Sequence, residues 1–205
     1  MSTCWQCGAP IPAQLFCPSC KALQPPPGDY YALLGWERRL ALSEADLQRR
    51  FYELSRVLHP DRFMRKSEAE REYSLDASST LNDAYRTLRD PVKRAEYVLT
   101  REGFDVAEQR SKDVPPELLE EVFELNMALE EMRDGDASAR PQLVEARDNF
   151  VGLLDGSDGS LAALFAAYDA QPSRETLVKI RGVLNRRKYI QNLVNEVEKE
   201  LSKSE

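Results

Sequence analysis

From Tyr30 onward the apolar residues recur at steps of three and four, so this stretch reads as a succession of amphipathic helices. Ser43, followed by Asp46, resembles a capping box. Leu47, Phe51, Leu54 and Leu58 then line one face of a helix ending near Leu58, and Arg49, Arg50 and Arg56 occupy the other face. The pattern breaks at His59-Pro60-Asp61, because proline disfavours helical geometry in the residue before it. A second helix is predicted from near Ser67, with Ala77, Leu81, Ala84, Tyr85 and Leu88 inward. Two such helices joined by a short polar loop make an antiparallel hairpin. A short helix from Tyr30 to Leu34, closed by Gly35, packs across it. Another opens at Asp90-Pro91, presents Ala95, Val98 and Leu99, and ends at Gly103.

After a polar connector from Glu102 to Asp113, Pro115-Pro116 can open a further helix. Its Leu118, Val122, Leu125, Leu129 and Met132 form a bundle seam. A second stripe of Leu119, Phe123 and Met127 lies beside the seam among glutamates, and reads either as a wide core face or as an exposed partner groove. The next helix runs from about Ser138 to Leu154, with Leu143, Phe150 and Leu154 inward. Asp155-Gly156-Ser157-Asp158-Gly159 interrupts it as a loop or a kink before Leu161, Leu164, Phe165 and Tyr168 resume the spacing. Ser173 caps the last helix, where Leu177, Ile180, Leu184, Val194, Val197 and Leu201 face inward while Tyr189 and Leu193 fall off the stripe.

The first residues have no such periodicity. Their feature is two C-x-x-C pairs, Cys4/Cys7 and Cys17/Cys20, set among the turn residues Gly8, Pro10, Pro12 and Pro18. Two-residue spacing turns both thiolates of a pair toward one metal, and two such knuckles complete a tetrahedral zinc site. With too few apolar residues for a core, this segment would draw its folding energy from ligation, on the order of 10 kcal/mol. A closed four-thiolate shell reads as structural, holding one zinc ion. A disulfide pair suits an oxidising compartment, and a redox C-x-x-C expects a surrounding βαβ unit; neither context is present. Gln24-Pro25-Pro26-Pro27-Gly28 follows as a stiff linker. The expected fold is therefore all-α: a small zinc knuckle over 1–24, a helical hairpin unit over 28–103 and an antiparallel three-helix bundle over 113–203.

Charge adds two surfaces to this picture. The net charge of −7 argues against a general nucleic-acid binder. Bases nevertheless dominate from Asp46 to Lys66, and acids dominate from Glu117 to Asp134. No apolar run approaches the roughly 20 residues needed to cross a bilayer. No secretory signal opens the chain, so a cytoplasmic protein without membrane partners is expected. His59 is the only histidine, and no nucleophile elbow accompanies it. No catalytic residue is assigned and no enzyme activity is expected.

Three segments carry a resemblance. Asp29-Tyr-Tyr-Ala-Leu-Leu-Gly35, the basic helix ending in His59-Pro60-Asp61, and Leu81-Asn-Asp-Ala-Tyr-Arg-Thr-Leu-Arg-Asp-Pro91 resemble the J domain. The resemblance implies that His59, Pro60 and Asp61, with Arg49, Arg50 and Arg56 on the preceding helix, dock on a DnaK-type chaperone and accelerate its ATP hydrolysis. A fixed loop, a carboxylate for a partner arginine and a basic face suit that role.

The order of parts narrows the likeness. Cys4-Trp-Gln-Cys-Gly8, Phe16-Cys-Pro-Ser-Cys-Lys-Ala-Leu-Gln24 and Val92-Lys-Arg-Ala-Glu-Tyr-Val-Leu99, followed by an acidic bundle, resemble the HscB family of iron–sulfur co-chaperones, including members with a zinc-binding extension. This implies an HscA- or DnaK-type ATPase and an IscU-type scaffold protein as partners. Scaffold contacts would map to Leu119, Phe123, Glu124, Met127, Glu131 and Tyr189. Two departures stand out: Met127 replaces the usual acid, and Glu120 stands where an apolar residue is common. The Asp155–Gly159 stretch looks like an insertion. A general DnaJ-like co-chaperone would carry a Gly/Phe-rich linker and β-rich substrate domains, and a zinc-dependent adaptor would want a more basic knuckle. Weak self-association is compatible with the sequence.

Overall fold

The structure, a computed structural model, describes residues 2–12, 14–105 and 116–203. The connector at 106–115, with Pro115, lies outside them. The chain divides into two compact units, Met1–Val98 and Leu99–Glu205.

The first unit opens with a two-residue antiparallel pair, β1 (Ser2–Thr3) and β2 (Pro10–Ile11). Four helices follow: α1 (Tyr30–Leu34), α2 (Glu44–Leu58), α3 (Glu68–Arg89) and α4 (Pro91–Arg101). Their ends obey local chemistry. The side chains of Asp29, Ser43 and Ser67 each accept the amide hydrogen of the third residue on, at Ala32, Asp46 and Glu70. Gly35 ends α1 at φ 71°, a conformation in which glycine pays no steric penalty. Asp90 Oδ1 accepts from the amides of Val92 and Lys93, and so opens α4.

The α2–α3 hairpin buries Leu47, Leu54 and Leu58 against Ala77, Leu81, Ala84 and Leu88, and stacks Phe51 on Tyr85 at 4.5 Å. Tyr30 stacks on Tyr97 at 4.5 Å, tying α1 to α4. Arg94 is buried and donates to the carbonyls of Leu40 and Leu88, replacing water around its guanidinium with backbone oxygens.

In the second unit a 3-10 turn (Pro116–Leu118) leads into α5 (Leu119–Arg133), and α6 (Arg140–Ala170) and α7 (Arg174–Lys203) form a long hairpin. The core joins Val122, Leu125 and Leu129 of α5 to Leu143, Phe150 and Leu154 of α6 and Ile190, Val194 and Val197 of α7. The fold is thus the all-α arrangement expected: a helical hairpin unit and an antiparallel three-helix bundle.

Two expectations are corrected here. Asp155–Gly159 is not a loop, because α6 runs unbroken through it. Each interior glycine weakens a helix by about 0.5–1 kcal/mol. Tertiary contacts outweigh that: Ser157 and Leu161 are buried, and the two oxygens of Asp158 accept from Nε and Nη2 of Arg187 on α7. The hydroxyls of Ser157 and Ser160 fold back onto the carbonyls of Leu153 and Gly156. Leu193, read as off the inward stripe, belongs to the core. Both α5 and α6 pack on that part of α7, so the buried arc is wider than a single seam. By length and composition α6 could cross a membrane; in this fold its Leu143, Phe150 and Leu154 stripe lies in the bundle core.

Candidate functional site

Helix α2 stops at His59, whose ψ of 130° is the extended geometry a following proline favours. Pro60–Phe63 then make one 3-10 turn, with Phe63 buried as its anchor. The turn is closed by Arg62 N–H donating to the His59 carbonyl at 2.9 Å. His59 Nδ1 accepts the Asp61 amide hydrogen at 3.3 Å and lies 3.5 Å from Asp61 Oδ2. The side chains of His59 and Asp61 are 56% and 78% exposed, so the triplet is a surface feature.

The surrounding bases differ in availability. Arg50 is half-buried, donates to the Leu34 carbonyl at 2.8 Å and pairs with Glu53, so it holds α1 on α2. Arg49 pairs with Asp46 at 2.6 Å on the surface. Arg56, Arg62, Arg65 and Lys66 are exposed and have no acidic partner among the described residues. The basic surface is therefore carried most openly by Arg49, Arg56 and the residues just after the triplet, with half-buried Arg50 beside them.

The four cysteines converge, their sulfurs all within 4.8 Å of one another. Cys4 lies 3.6 Å from Cys20 and Cys7 lies 3.8 Å from Cys17. Four thiolates at about 2.3 Å from a tetrahedral ion sit about 3.8 Å apart, so this spacing fits a metal ion, whereas a disulfide needs about 2.05 Å. The two knuckles are built alike. Cys4 and Cys17 each donate an amide hydrogen to the carbonyl five residues on (Ala9, Ala22) and accept at their own carbonyl from the residue four on (Gly8, Lys21). Gly8 and Lys21 occupy the matching left-handed positions, φ 71° and 64°.

Electrostatics favour a cation there. Burial pushes the Cys4 thiol up, but the backbone amides of Cys7 and Gln6 and neighbouring thiols bring it down to about 6. The Cys20 amide likewise lowers Cys17. The Ala22 amide draws Cys20 down, yet burial and the three other sulfurs push it up to about 12. Cys4 and Cys17 are thus favoured as thiolates, while Cys20 is held protonated beside them until a cation compensates.

Several residues support this centre in roles that spacing alone does not assign. Gln24, read as linker, is buried and donates from Nε2 to Cys4 Sγ at 3.4 Å. Trp5 donates to the Leu23 carbonyl at 2.7 Å and meets the ring of Tyr73 on α3 edge-on at 6.0 Å. Glu70, also on α3, is buried with its carboxylate 3.5 Å from the Leu23 amide. The knuckle is therefore seated on α3; only the adjacency of Trp5 to a cysteine hinted at such an aromatic contact.

On α5 the ambiguous stripe is resolved. Leu119, Phe123 and Met127 are 56%, 66% and 50% exposed, while the neighbouring seam is buried. Glu124 and Glu131 are exposed on the same helix. Tyr189 of α7 is half-buried against the bundle core, and burial raises its pKa.

An exposed His-Pro-Asp turn between two packed helices, beside unpaired bases, defines a J-domain protein, and residues 29–97 match the DnaJ domain family. The chain is 31% identical over 190 residues to the iron–sulfur cluster co-chaperone protein HscB of Homo sapiens, covering 87% of this chain and 76% of that one. It is 34% identical over 145 residues to the co-chaperone protein HscB of Proteus mirabilis, covering 66% and 84%. The crystal structure of human HscB superposes with a TM-score of 0.72 at 28% identity, covering 96% and 97% of the two chains. This chain belongs to the HscB family of iron–sulfur cluster co-chaperones.

Proposed function

We propose that this chain activates the ATPase of a DnaK- or HscA-type chaperone through its J domain (28–103) and presents to it an IscU-type scaffold held on the bundle (113–203). The observation that carries this reading is the His59-Pro60-Asp61 turn, exposed and anchored by buried Phe63 beside bases that lack acidic partners. Pro60 fixes the turn, Asp61 offers a carboxylate to an arginine, and Arg49 and Arg56, with half-buried Arg50, steer an acidic partner surface. Leu119, Phe123 and Met127, with Glu124, Glu131 and Tyr189, form the scaffold-binding face; exposed apolar side chains at helical spacing are what a partner would cover.

The four cysteines hold one structural zinc ion, since a closed thiolate shell leaves no open position for chemistry. Cys4, Cys7, Cys17 and Cys20 are its ligands and Gln24 supports Cys4 from outside. Zinc supplies folding energy to 1–24, and the residues themselves form the seat on α3. The test is chaperone ATPase stimulation by this chain with and without purified scaffold protein. Synergy between the two is expected, and additive rates would sink the scaffold role.

A further inference from the structure

A groove of about 700 Å³ runs between α5 and α6. Its floor is made by core side chains, Leu125, Ala128 and Phe150, with half-exposed Met127 at one lip. Its rim carries Glu121, Glu124 and Glu131 from α5 and Glu145 from α6. Among the described residues none of these four carboxylates has a cationic partner.

The other flank of α5 is different. There Arg133 pairs with Glu196 at 2.8 Å and with Glu200 at 3.6 Å, and Lys203 bonds Glu200 at 2.9 Å. Acid on the α7 side is neutralised within the chain, whereas acid on the α6 side is left for something outside it.

Area points the same way. A specific complex buries about 800 Å² on each partner. Three apolar side chains, at no more than about 250 Å² each even for an aromatic and only partly exposed here, do not reach that. A docking surface centred on Leu119, Phe123 and Met127 therefore draws on its neighbours: Tyr189 extends it on the α7 side, and Glu124, Met127 and Glu131 already line the groove on the α6 side.

We infer that the α5–α6 groove is the second half of the scaffold-docking surface, and that it takes a scaffold segment in which lysines or arginines flank one large apolar side chain. This rests on the scaffold reading given above. The apolar side chain settles on Leu125 and Phe150, and the cations meet a rim that includes Glu121 and Glu145, neither of them on the exposed stripe. Charge pairing at such a rim acts mostly through encounter and salt dependence.

The test titrates an IscU-type scaffold protein into the full chain at low and high salt. The variants are the double charge reversal Glu121→Lys with Glu145→Lys, its milder form Glu121→Gln with Glu145→Gln, and Leu119→Ala with Phe123→Ala. Both glutamates are exposed, and unchanged helical circular dichroism checks the fold. The lysine pair is expected to raise Kd about tenfold or more at low salt and to flatten the salt dependence, with the glutamine pair shifting it less in the same direction. If the alanine pair weakens binding and the lysine pair does not, the groove inference fails while the scaffold reading stands. If the alanine pair has no effect, the scaffold reading itself fails. A lysine pair that instead reduces ATPase stimulation with chaperone alone, or abolishes self-association seen by sedimentation, assigns the groove to another occupant and overturns the inference.

Discussion

The hydroxyl of Ser74, on α3, donates to the carbonyl of Leu58 at 2.6 Å, the last helical residue before His59. Ser78, one turn on, donates to the same oxygen at 3.1 Å. Two side chains of the second helix thus hold the backbone from which the His-Pro-Asp turn departs. Removing both leaves a buried carbonyl unsatisfied, at about 1–3 kcal/mol. Ser74→Ala with Ser78→Ala is expected to lower chaperone ATPase stimulation severalfold and to speed hydrogen exchange at Asp61 to Phe63. Unchanged exchange would show that Phe63 alone holds the turn.

His59→Gln tests the turn itself. The side chain is exposed and its two contacts among the described residues are both with Asp61, so stability should change by less than about 0.5 kcal/mol. Stimulation of the partner ATPase should be abolished with scaffold affinity kept. A variant that still stimulates would remove His59 from the mechanism.

Cys17→Ser should lose the bound metal ion, measured as about one zinc per wild-type chain by elemental analysis. Release of the knuckle would also separate Trp5 from Tyr73 and from the Leu23 carbonyl. In a Trp36→Phe background the Trp5 emission should therefore shift to the red. The α2–α3 hairpin has its own core of Leu47, Leu58 and Leu81, so its helical signal should persist.

Leu119→Ala with Phe123→Ala removes side chains that face solvent, and the melting temperature should hold. Scaffold binding should weaken by about 1–3 kcal/mol, as for a central apolar contact. A double variant that melts early would mean the stripe supports the bundle.

The bundle should also respond to acid through Glu200. Its hydrogen bond from Lys203 outweighs burial and, with the charges of Lys203 and Arg133, holds its carboxyl below the ordinary value. A depressed folded pKa gives stability that is complete above the unfolded value, about 4.3, and is lost as pH falls through the folded one. Melting curves from pH 6 to pH 3 should therefore decline less steeply in Glu200→Gln than in wild type. Parallel declines would rule this pair out as the sensor.

Local chemistry determined much of this protein from the sequence alone. Ser43, Ser67 and Ser173 cap the helices they precede, Gly35 closes α1, and Pro60 ends α2. Each rests on contacts within a few residues, so the order of residues suffices. Two C-x-x-C pairs likewise announce a metal-binding centre, because each pair is a local turn. Tertiary structure decided the rest. Asp155–Gly159 is helical because α7 lies beside it, and Leu193 is core because two helices meet there. The stripe of Leu119, Phe123 and Met127 is open because α6 and α7 cover only the opposite arc of α5. Arg50 turns inward to Leu34, and Glu70 and Tyr73 receive a knuckle from far earlier in the chain. Periodicity states that a helix has faces; which face a partner finds depends on neighbours that sequence spacing does not contain.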